Sequence, residues 1–374
     1  MPHLHDDRPR QPPLFPELTP APTLRDVADA VRLSGLGALP TTAARADEAR
    51  YQEVRVQSAL TSSNGMHFRW ALNPYRGCTH ACEYCYARKY QRHLELGAGD
   101  EFSSVIFVKT NLPEVLRREL GRPRWARDLV AVGTATDPYQ PIEGHYRLTR
   151  RSLEALAHSR TPFSIVTKGP MVVRDLDILR DASRVVRAQV FMSVPSVDDR
   201  LWLHLEPGTA PPAQRLKAIR QLADANIETG VLMMPLVPGL TTSRTSIERT
   251  MRAIADTGVR FVGADVARLD VGVREHFLAF LERTFPHLVA GYERLYAGVH
   301  APGEYVGQVD AMVRVEAARA GVGRRPIEPV SRRPTRSADA GAKVTNAPSA
   351  RQSARRSTGA WKRSTPFRRA KTAS

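Results

Sequence analysis

The stretch Arg69-Trp70-Ala71-Leu72-Asn73-Pro74-Tyr75-Arg76-Gly77-Cys78-Thr79-His80-Ala81-Cys82-Glu83-Tyr84-Cys85 opens on a short apolar run and ends in three thiols. These are the only 3 cysteines among 374 residues. Structural thiols scatter through a core, so one tight group points to a shared task. A strand is predicted over 68–72 and a helix over 83–95, which puts the thiols on a strand-to-helix loop. An odd and small number of cysteines builds no disulfide framework, and a reducing cytoplasm is the expected compartment.

Structural zinc is closed by four ligands, and iron–sulfur clusters are normally held by four cysteines. His80 could complete a Cys3His zinc site, but that would crowd four tetrahedral ligands into one tight loop. A cubane on three thiols leaves one iron without a protein ligand. An open coordination position is what catalysis needs and what a structural metal lacks.

Outward from the loop, apolar strands alternate with amphipathic helices. Strands are predicted over 104–109, 129–134, 163–167, 185–194, 228–235 and 260–266. Helices are predicted over 148–158, 175–180, 213–224 and 243–257, with further helical stretches at 273–283 and 288–296. In 213–224, Leu216, Ile219 and Leu222 share one face. Strands separated by helices of this length need crossover connections and therefore a parallel sheet. About six such units predict an α/β chain folded as a partial (β/α)6, TIM-like barrel. The expected domains are a Pro-rich, largely extended arm over 1–50, a core over 51–300, a helical segment over 301–323 and a disordered basic tail over 324–374. A short helical pattern at 24–33 is too brief to stand alone.

The spacing Cys78-x-x-x-Cys82-x-x-Cys85, with Tyr84 before the last thiol, resembles the signature of the radical S-adenosylmethionine (SAM) enzymes. The fuller segment 72–88 looks like the branch of spore photoproduct lyase-like proteins, often labelled DNA repair photolyases. The resemblance covers roughly residues 66–270. It implies a [4Fe–4S] cluster on Cys78, Cys82 and Cys85, with SAM chelating the remaining iron. It also implies reductive SAM cleavage, a 5′-deoxyadenosyl radical, hydrogen abstraction from substrate, and a flavodoxin- or ferredoxin-type reductant as partner. Tyr84 takes the position that contacts adenine. The family binds the cofactor's amino group at the end of the second barrel strand. This chain has Val132-Gly133-Thr134-Ala135-Thr136-Asp137-Pro138-Tyr139-Gln140-Pro141 there. The hydroxyls of Thr134 and Thr136 and the carboxylate of Asp137 are the acceptors on offer.

Ser193, ending a predicted strand, matches the position that contacts the ribose. Lys168 ends another strand and is a candidate to neutralise the cofactor carboxylate. Arg215 is a candidate for a bidentate carboxylate contact, against the alternative of a surface helix residue. The loop Pro235-Leu236-Val237-Pro238-Gly239 is expected over adenine. Tyr139 is the favoured hydrogen donor or relay, with Tyr86 and Tyr90 offering the same chemistry. Tyr75 and Arg76 either tune the cluster's charge or pack the turn.

One cluster consumes all three thiols. That disfavours auxiliary clusters, and with them the multi-cluster maturases and sulfur-inserting members. No thiol is left as methyl carrier or hydrogen donor, so a hydrogen returned to nucleic acid would come from tyrosine or from deoxyadenosine.

The chain is 42% hydrophobic and 25% charged, with a mean hydropathy of −0.34, an ordinary globular composition. No apolar run approaches the ~20 residues of a membrane span. The N-terminus lacks a basic patch followed by an apolar stretch, so secretion is not expected. The formal charge is +17, and 324–374 holds 14 basic and 2 acidic residues. That tail cannot bury enough apolar surface to offset its ordering entropy. Its charge, with Trp361 and Phe367 as stacking groups, suits contact with DNA or RNA. Two rival readings are a metal-stabilised nucleic-acid-binding protein without catalysis and an iron–sulfur electron carrier.

Overall fold

Val132, Ile165, Val190, Val231 and Val262 are fully buried, each on a different strand. Such apolar strands form where a parallel sheet is covered on both faces. A computed structural model describes residues 45–324 apart from 64, 65, 67, 95 and 96. Most of the expected arm, with its helical pattern at 24–33, lies outside the described residues, as does the tail beyond 324. The folded body begins before the expected boundary at 50. Ala46 and Ala49 are already buried.

The strands are β1 (Arg50–Val54), β2 (Leu60–Ser62), β3 (Trp70–Leu72), β4 (Tyr75–Arg76), β5 (Val105–Lys109), β6 (Val130–Val132), β7 (Phe163–Thr167), β8 (Ala188–Ser193), β9 (Glu228–Leu236), β10 (Phe261–Val266) and β11 (Gly323–Arg324). The main sheet has the order β11-β10-β9-β8-β7-β6-β3-β2. All its neighbours are parallel except β2, which runs antiparallel to β3. Six parallel strands, β3 and β6–β10, therefore form the expected partial barrel, and β2 and β11 remain unpaired with each other.

Helices connect the strands: α1 (Leu112–Leu120), α2 (Leu148–His158), α3 (Leu176–Ser183), α4 (Asp199–Leu205), α5 (Pro212–Asp224), α6 (Arg244–Ala255), α7 (Val273–Thr284), α8 (Val289–Leu295) and α9 (Gly303–Arg319). Their apolar stripes supply fully buried Leu116, Leu153, Leu179, Ile219 and Met251. The helical segment expected over 301–323 is α9, which packs on α6 and β10.

Four elements differ from the sequence reading. The strand expected over 104–109 is β5, but it leaves the barrel. It joins β1 and β4 in a separate sheet of order β1-β5-β4. Apolar patterning makes a strand without specifying its partner. The helix expected over 83–95 is a 3-10 helix over Tyr86–Leu94, because the preceding loop closes in i→i+3 turns. Helices α1 and α4 are additions. Pro113 lies in the first turn of α1, where it costs no hydrogen bond. Asp198 caps α4 by accepting the N–H groups of Arg200 and Leu201. No described helix is long and apolar enough to cross a membrane.

The edge strand β2 is tied down by a buried carboxylate. Glu119 on α1 accepts the N–H of Ala59 at 3.2 Å and of Leu60 at 3.0 Å. Glu119→Ala leaves both donors without a charged acceptor and is expected to cost about 2–4 kcal/mol. Urea unfolding at neutral pH checks this.

Candidate functional site

The cysteine loop leaves β4 through Gly77, at φ +81°. A Cβ there would stand 2.6 Å from the Val105 carbonyl oxygen, so the position needs glycine on two counts. The Gly77 carbonyl accepts Thr136 Oγ1 at 2.7 Å and Gln140 Nε2 at 3.2 Å. Gln140 Oε1 accepts the Thr79 N–H at 3.1 Å. The Cys78 N–H donates to the Phe102 carbonyl at 3.0 Å. Ala81, at φ +53°, reverses the chain between the first two cysteines. From the far side, the Gly208 N–H donates to the His80 carbonyl at 3.0 Å, and the Glu83 N–H to the Leu205 carbonyl at 3.0 Å.

Arg88 closes the loop from inside. It is buried and spends its guanidinium on backbone carbonyls: Nε on Cys82 at 3.0 Å, Nη2 on Ala81 at 3.0 Å, and Nη1 on Gly99 at 2.8 Å and Ala98 at 3.1 Å. Its plane also lies over the Phe102 ring, 5.2 Å from the centroid. A guanidinium that satisfies four carbonyls fixes the path of the loop.

All three cysteines are free; Cys78 and Cys82 are buried and Cys85 is half-buried. Burial, then Asp137 and Cys82, push the Cys78 thiol up, while the backbone N–H groups of His80 and Asp137 oppose the rise. Burial pushes the Cys82 thiol up to about 12; Lys168 and Arg215 pull against it. Such thiols become thiolates only when a cation shares the pocket, and thiolate is the ligand form. Their donor set therefore fits iron. Among the described residues no three His, Cys, Asp or Glu side chains gather tightly enough for a single metal ion. His80 is engaged elsewhere: its Nδ1 lies 3.3 Å from Asp137 Oδ2. The Cys3His zinc alternative thus loses its fourth ligand. A cluster asks for thiols around a wider body, each on a different iron.

Beside Cys82 lies a buried charge cluster. Glu206 accepts the Tyr84 hydroxyl and Arg215 Nη2, the latter at 2.5 Å. Lys168 Nζ stands 3.8 Å from Glu206 and 5.6 Å from the centroid of the Tyr84 ring. Burial would raise the Glu206 carboxyl, but Arg215 and Lys168 hold it below the usual range. Burial would lower the Lys168 ammonium, but Cys82 and Glu206 hold it above its ordinary value. Two cations and one carboxylate leave a net positive charge facing the thiols. Burial and Glu206 push the Tyr84 phenol well up, so it remains a donor.

The structure thus brings Tyr84, Lys168 and Arg215 together, and Arg215 is the one whose surroundings differ from the expectation. Arg215 is fully buried, and its donors go to Ala210, Ser193 and Thr209 as well as Glu206. It supports the site and has no free face for a carboxylate, and it is no surface residue either. Asp137 accepts from Lys168 N–H at 2.7 Å, Thr167 Oγ1 at 2.7 Å and Tyr139 N–H at 2.8 Å. Burial raises its carboxyl, yet His80 and these donors outweigh that and bring it to about 2. Asp137 and Thr136 therefore pin the cysteine loop to the ends of β6 and β7. The Ser193 hydroxyl donates to the Met234 carbonyl at 2.9 Å.

Thr134 accepts from Asn73 Nδ2 at 3.2 Å and keeps its own hydroxyl proton to place. Tyr139 falls in a separate network. Its hydroxyl donates to buried Asp175 at 3.0 Å, and Asp175 pairs with Arg150 at 3.0 Å and Arg174 at 2.9 Å. A hydrogen-donor role does not follow from that position. Tyr86 is different: it is 44% exposed, and its hydroxyl donates to the Thr134 carbonyl at the end of β6. Gln140, Arg88 and Asn73 escaped the sequence reading. Their roles depend on how the loops fold back on one another, which leaves no pattern in the sequence.

Arg88→Leu leaves four carbonyls without a donor and is expected to destabilise the protein by about 3–5 kcal/mol. It should also lower iron retained after reconstitution. Denaturant unfolding and iron analysis read the two effects separately.

The radical SAM superfamily model matches residues 72–254. An uncharacterised protein of Mycobacterium tuberculosis is 38% identical over 263 residues, 69% of this chain and 77% of that one. A radical SAM Nalpha-GlyT isomerase of Pseudomonas phage M6 is 28% identical over 173 residues, 45% of this chain and 33% of that protein. Spore photoproduct lyase with bound AdoMet and dinucleoside spore photoproduct shares the fold at a TM-score of 0.59 and 16% identity, covering 80% of this chain and 93% of that one. With the loop, the parallel sheet and these relatives in agreement, the chain belongs to the radical SAM superfamily.

Proposed function

We propose that this enzyme holds one [4Fe–4S] cluster on Cys78, Cys82 and Cys85, cleaves SAM reductively and abstracts hydrogen from a nucleic-acid substrate. One observation carries the reading. All three thiols of the chain lie on a single pinned loop, beside a buried cluster of net positive charge. A cluster held by Cys78, Cys82 and Cys85 would supply the one electron that splits a sulfur–carbon bond of SAM, leaving methionine and a carbon radical able to take hydrogen.

The residues around the loop bind and orient. Lys168 is the cation left to meet the cofactor's carboxylate, with Glu206 and Arg215 setting its charge. Thr134 can accept an ammonium at the end of β6. Tyr84 offers a ring face to adenine and holds it against Lys168. Tyr86 stands at the mouth and is the tyrosine placed to exchange hydrogen with a substrate. A flavodoxin- or ferredoxin-type reductant would approach the half-buried Cys85. Reduced thiols suit the cytoplasm.

Nucleic acid as substrate is supported by the dinucleoside bound to a protein of the same fold. The tail, with 14 basic and 2 acidic residues, supplies a second point of contact. Membership of the radical SAM superfamily speaks against both rival readings, a non-catalytic binder and an electron carrier.

Anaerobic reconstitution should load about four irons and four sulfides, and Cys82→Ala should abolish the charge-transfer absorbance. Dithionite should then release 5′-deoxyadenosine from SAM. A full iron complement in Cys82→Ala would refute the ligand assignment. Truncation after Gly323 is expected to remove most of the salt dependence of oligonucleotide binding. Fluorescence anisotropy from low to high salt checks it, and an unchanged slope excludes the tail as a contact.

A further inference from the structure

Two cations at the barrel mouth contact backbone carbonyls but no carboxylate among the described residues. Lys168 and Arg215 share Glu206, Lys89 pairs with Asp270 at 2.6 Å, and Arg88 is saturated by carbonyls. Arg76 and Lys109 form no ion pair among the described residues. They end neighbouring antiparallel strands, β4 and β5, of the small sheet. Arg76 gives one donor to the Tyr90 carbonyl, while its Nε is buried with no partner.

Lys109 Nζ donates to the Asn73 carbonyl at 2.8 Å. The Asn73 side chain in turn holds Thr134 and the Ala135 N–H. Lys109 therefore stands at the carboxyl end of β3, one residue contact from the proposed ammonium acceptor. Burial, then neighbouring Arg76, pull the Lys109 ammonium down to about 8. Two like charges held close in a partly dry place repel each other, and an anion between them would relieve both.

The surroundings say which anion. Tyr86 is 44% exposed and Tyr90 36% exposed, with ring centroids 6.5 Å apart and planes crossed at 80°. Arg76 touches Tyr90, and Tyr86 touches Thr134. Cations that take a charged oxygen beside exposed rings that take a flat base form the elementary pair of contacts to a single strand.

We propose that Arg76 and Lys109 form a phosphate subsite at the barrel mouth, gripping a phosphodiester of the substrate while Tyr86 and Tyr90 receive an adjacent base. The inference rests on the reading of the substrate as nucleic acid and specifies how that substrate is held. Arg76 and Lys109 each meet the phosphate through a charge-assisted hydrogen bond.

The test is a lysine footprint on the full-length holoenzyme. Sulfosuccinimidyl acetate acetylates free amines near pH 8, and mass spectrometry reads Lys109. Three probes are compared: a thymidine tetranucleotide, its uncharged methylphosphonate counterpart, and SAM. The tetranucleotide is expected to slow Lys109 acetylation about tenfold, the equivalent of one charge-assisted contact. The methylphosphonate and SAM should leave it unprotected. Tail residues Lys362 and Lys371 report tail binding in the same digest. Arg76→Gln should erase most of the tetranucleotide's protection. Protection by SAM alone would assign the pair to the cofactor's carboxylate and overturn the proposal. Equal protection by both oligomers, or by neither, would overturn it too. Deoxyadenosine release is scored on the same sample. Release without Lys109 protection defeats the subsite alone, whereas no release defeats the proposed function.

Discussion

Charge that an interior would otherwise reject is the constraint around which this site is built. Cys78 and Cys82 are buried, and burial favours the protonated thiol. To act as ligands they must carry negative charge. The fold meets that demand in advance. Lys168 and Arg215 outnumber Glu206 by one charge beside Cys82, and backbone N–H groups approach Cys78. The same excess suits a cofactor that brings a carboxylate. Remove the carboxylate of Glu206 and two buried cations lose their common partner; remove Arg215 and Glu206 loses its strongest one.

The parallel sheet explains why these groups can meet. Parallel strands all end at one edge, so the residues that follow β3, β6, β7 and β8 open onto one mouth. Asn73, Thr134 and Lys168 follow their strands there, and Ser193 ends β8. Hydrogen bonds among them then cross-link neighbouring strands. Asn73 joins the ends of β3 and β6, and Asp137 joins the loop after β6 to Thr167 and Lys168. The small sheet of β1, β5 and β4 lies outside the barrel order and carries Gly77 into the cysteine loop. Its carbonyls leave no room for a side chain at Gly77.

Much of this was legible in the chain. The thiol spacing is local, so the loop could be read without knowing its surroundings. Apolar patterning located α2 over Leu148–His158 and β7 over Phe163–Thr167 at the observed bounds. Lys168 and Ser193 could be put at the mouth because a strand's end is visible in its pattern. Other residues were read by type and met a different fate. Arg215 sits on a helix whose sequence gives no hint that its guanidinium is enclosed. Tyr139 and Tyr86 are chemically alike, and only their partners, Asp175 for one and the Thr134 carbonyl for the other, separate a packed phenol from an open one.

The amino-acid sequence alone determined the spacing of the three thiols, the alternation that makes a parallel sheet, and the charge imbalance of the tail, because each depends on spacing or composition along the chain. Tertiary structure decided which polar side chains are spent on the protein and which remain free, the partner of β5, and the meeting of Arg76 with Lys109. Those outcomes depend on groups far apart in sequence competing for the same donors and acceptors, and that competition is settled only when the strands and helices have packed.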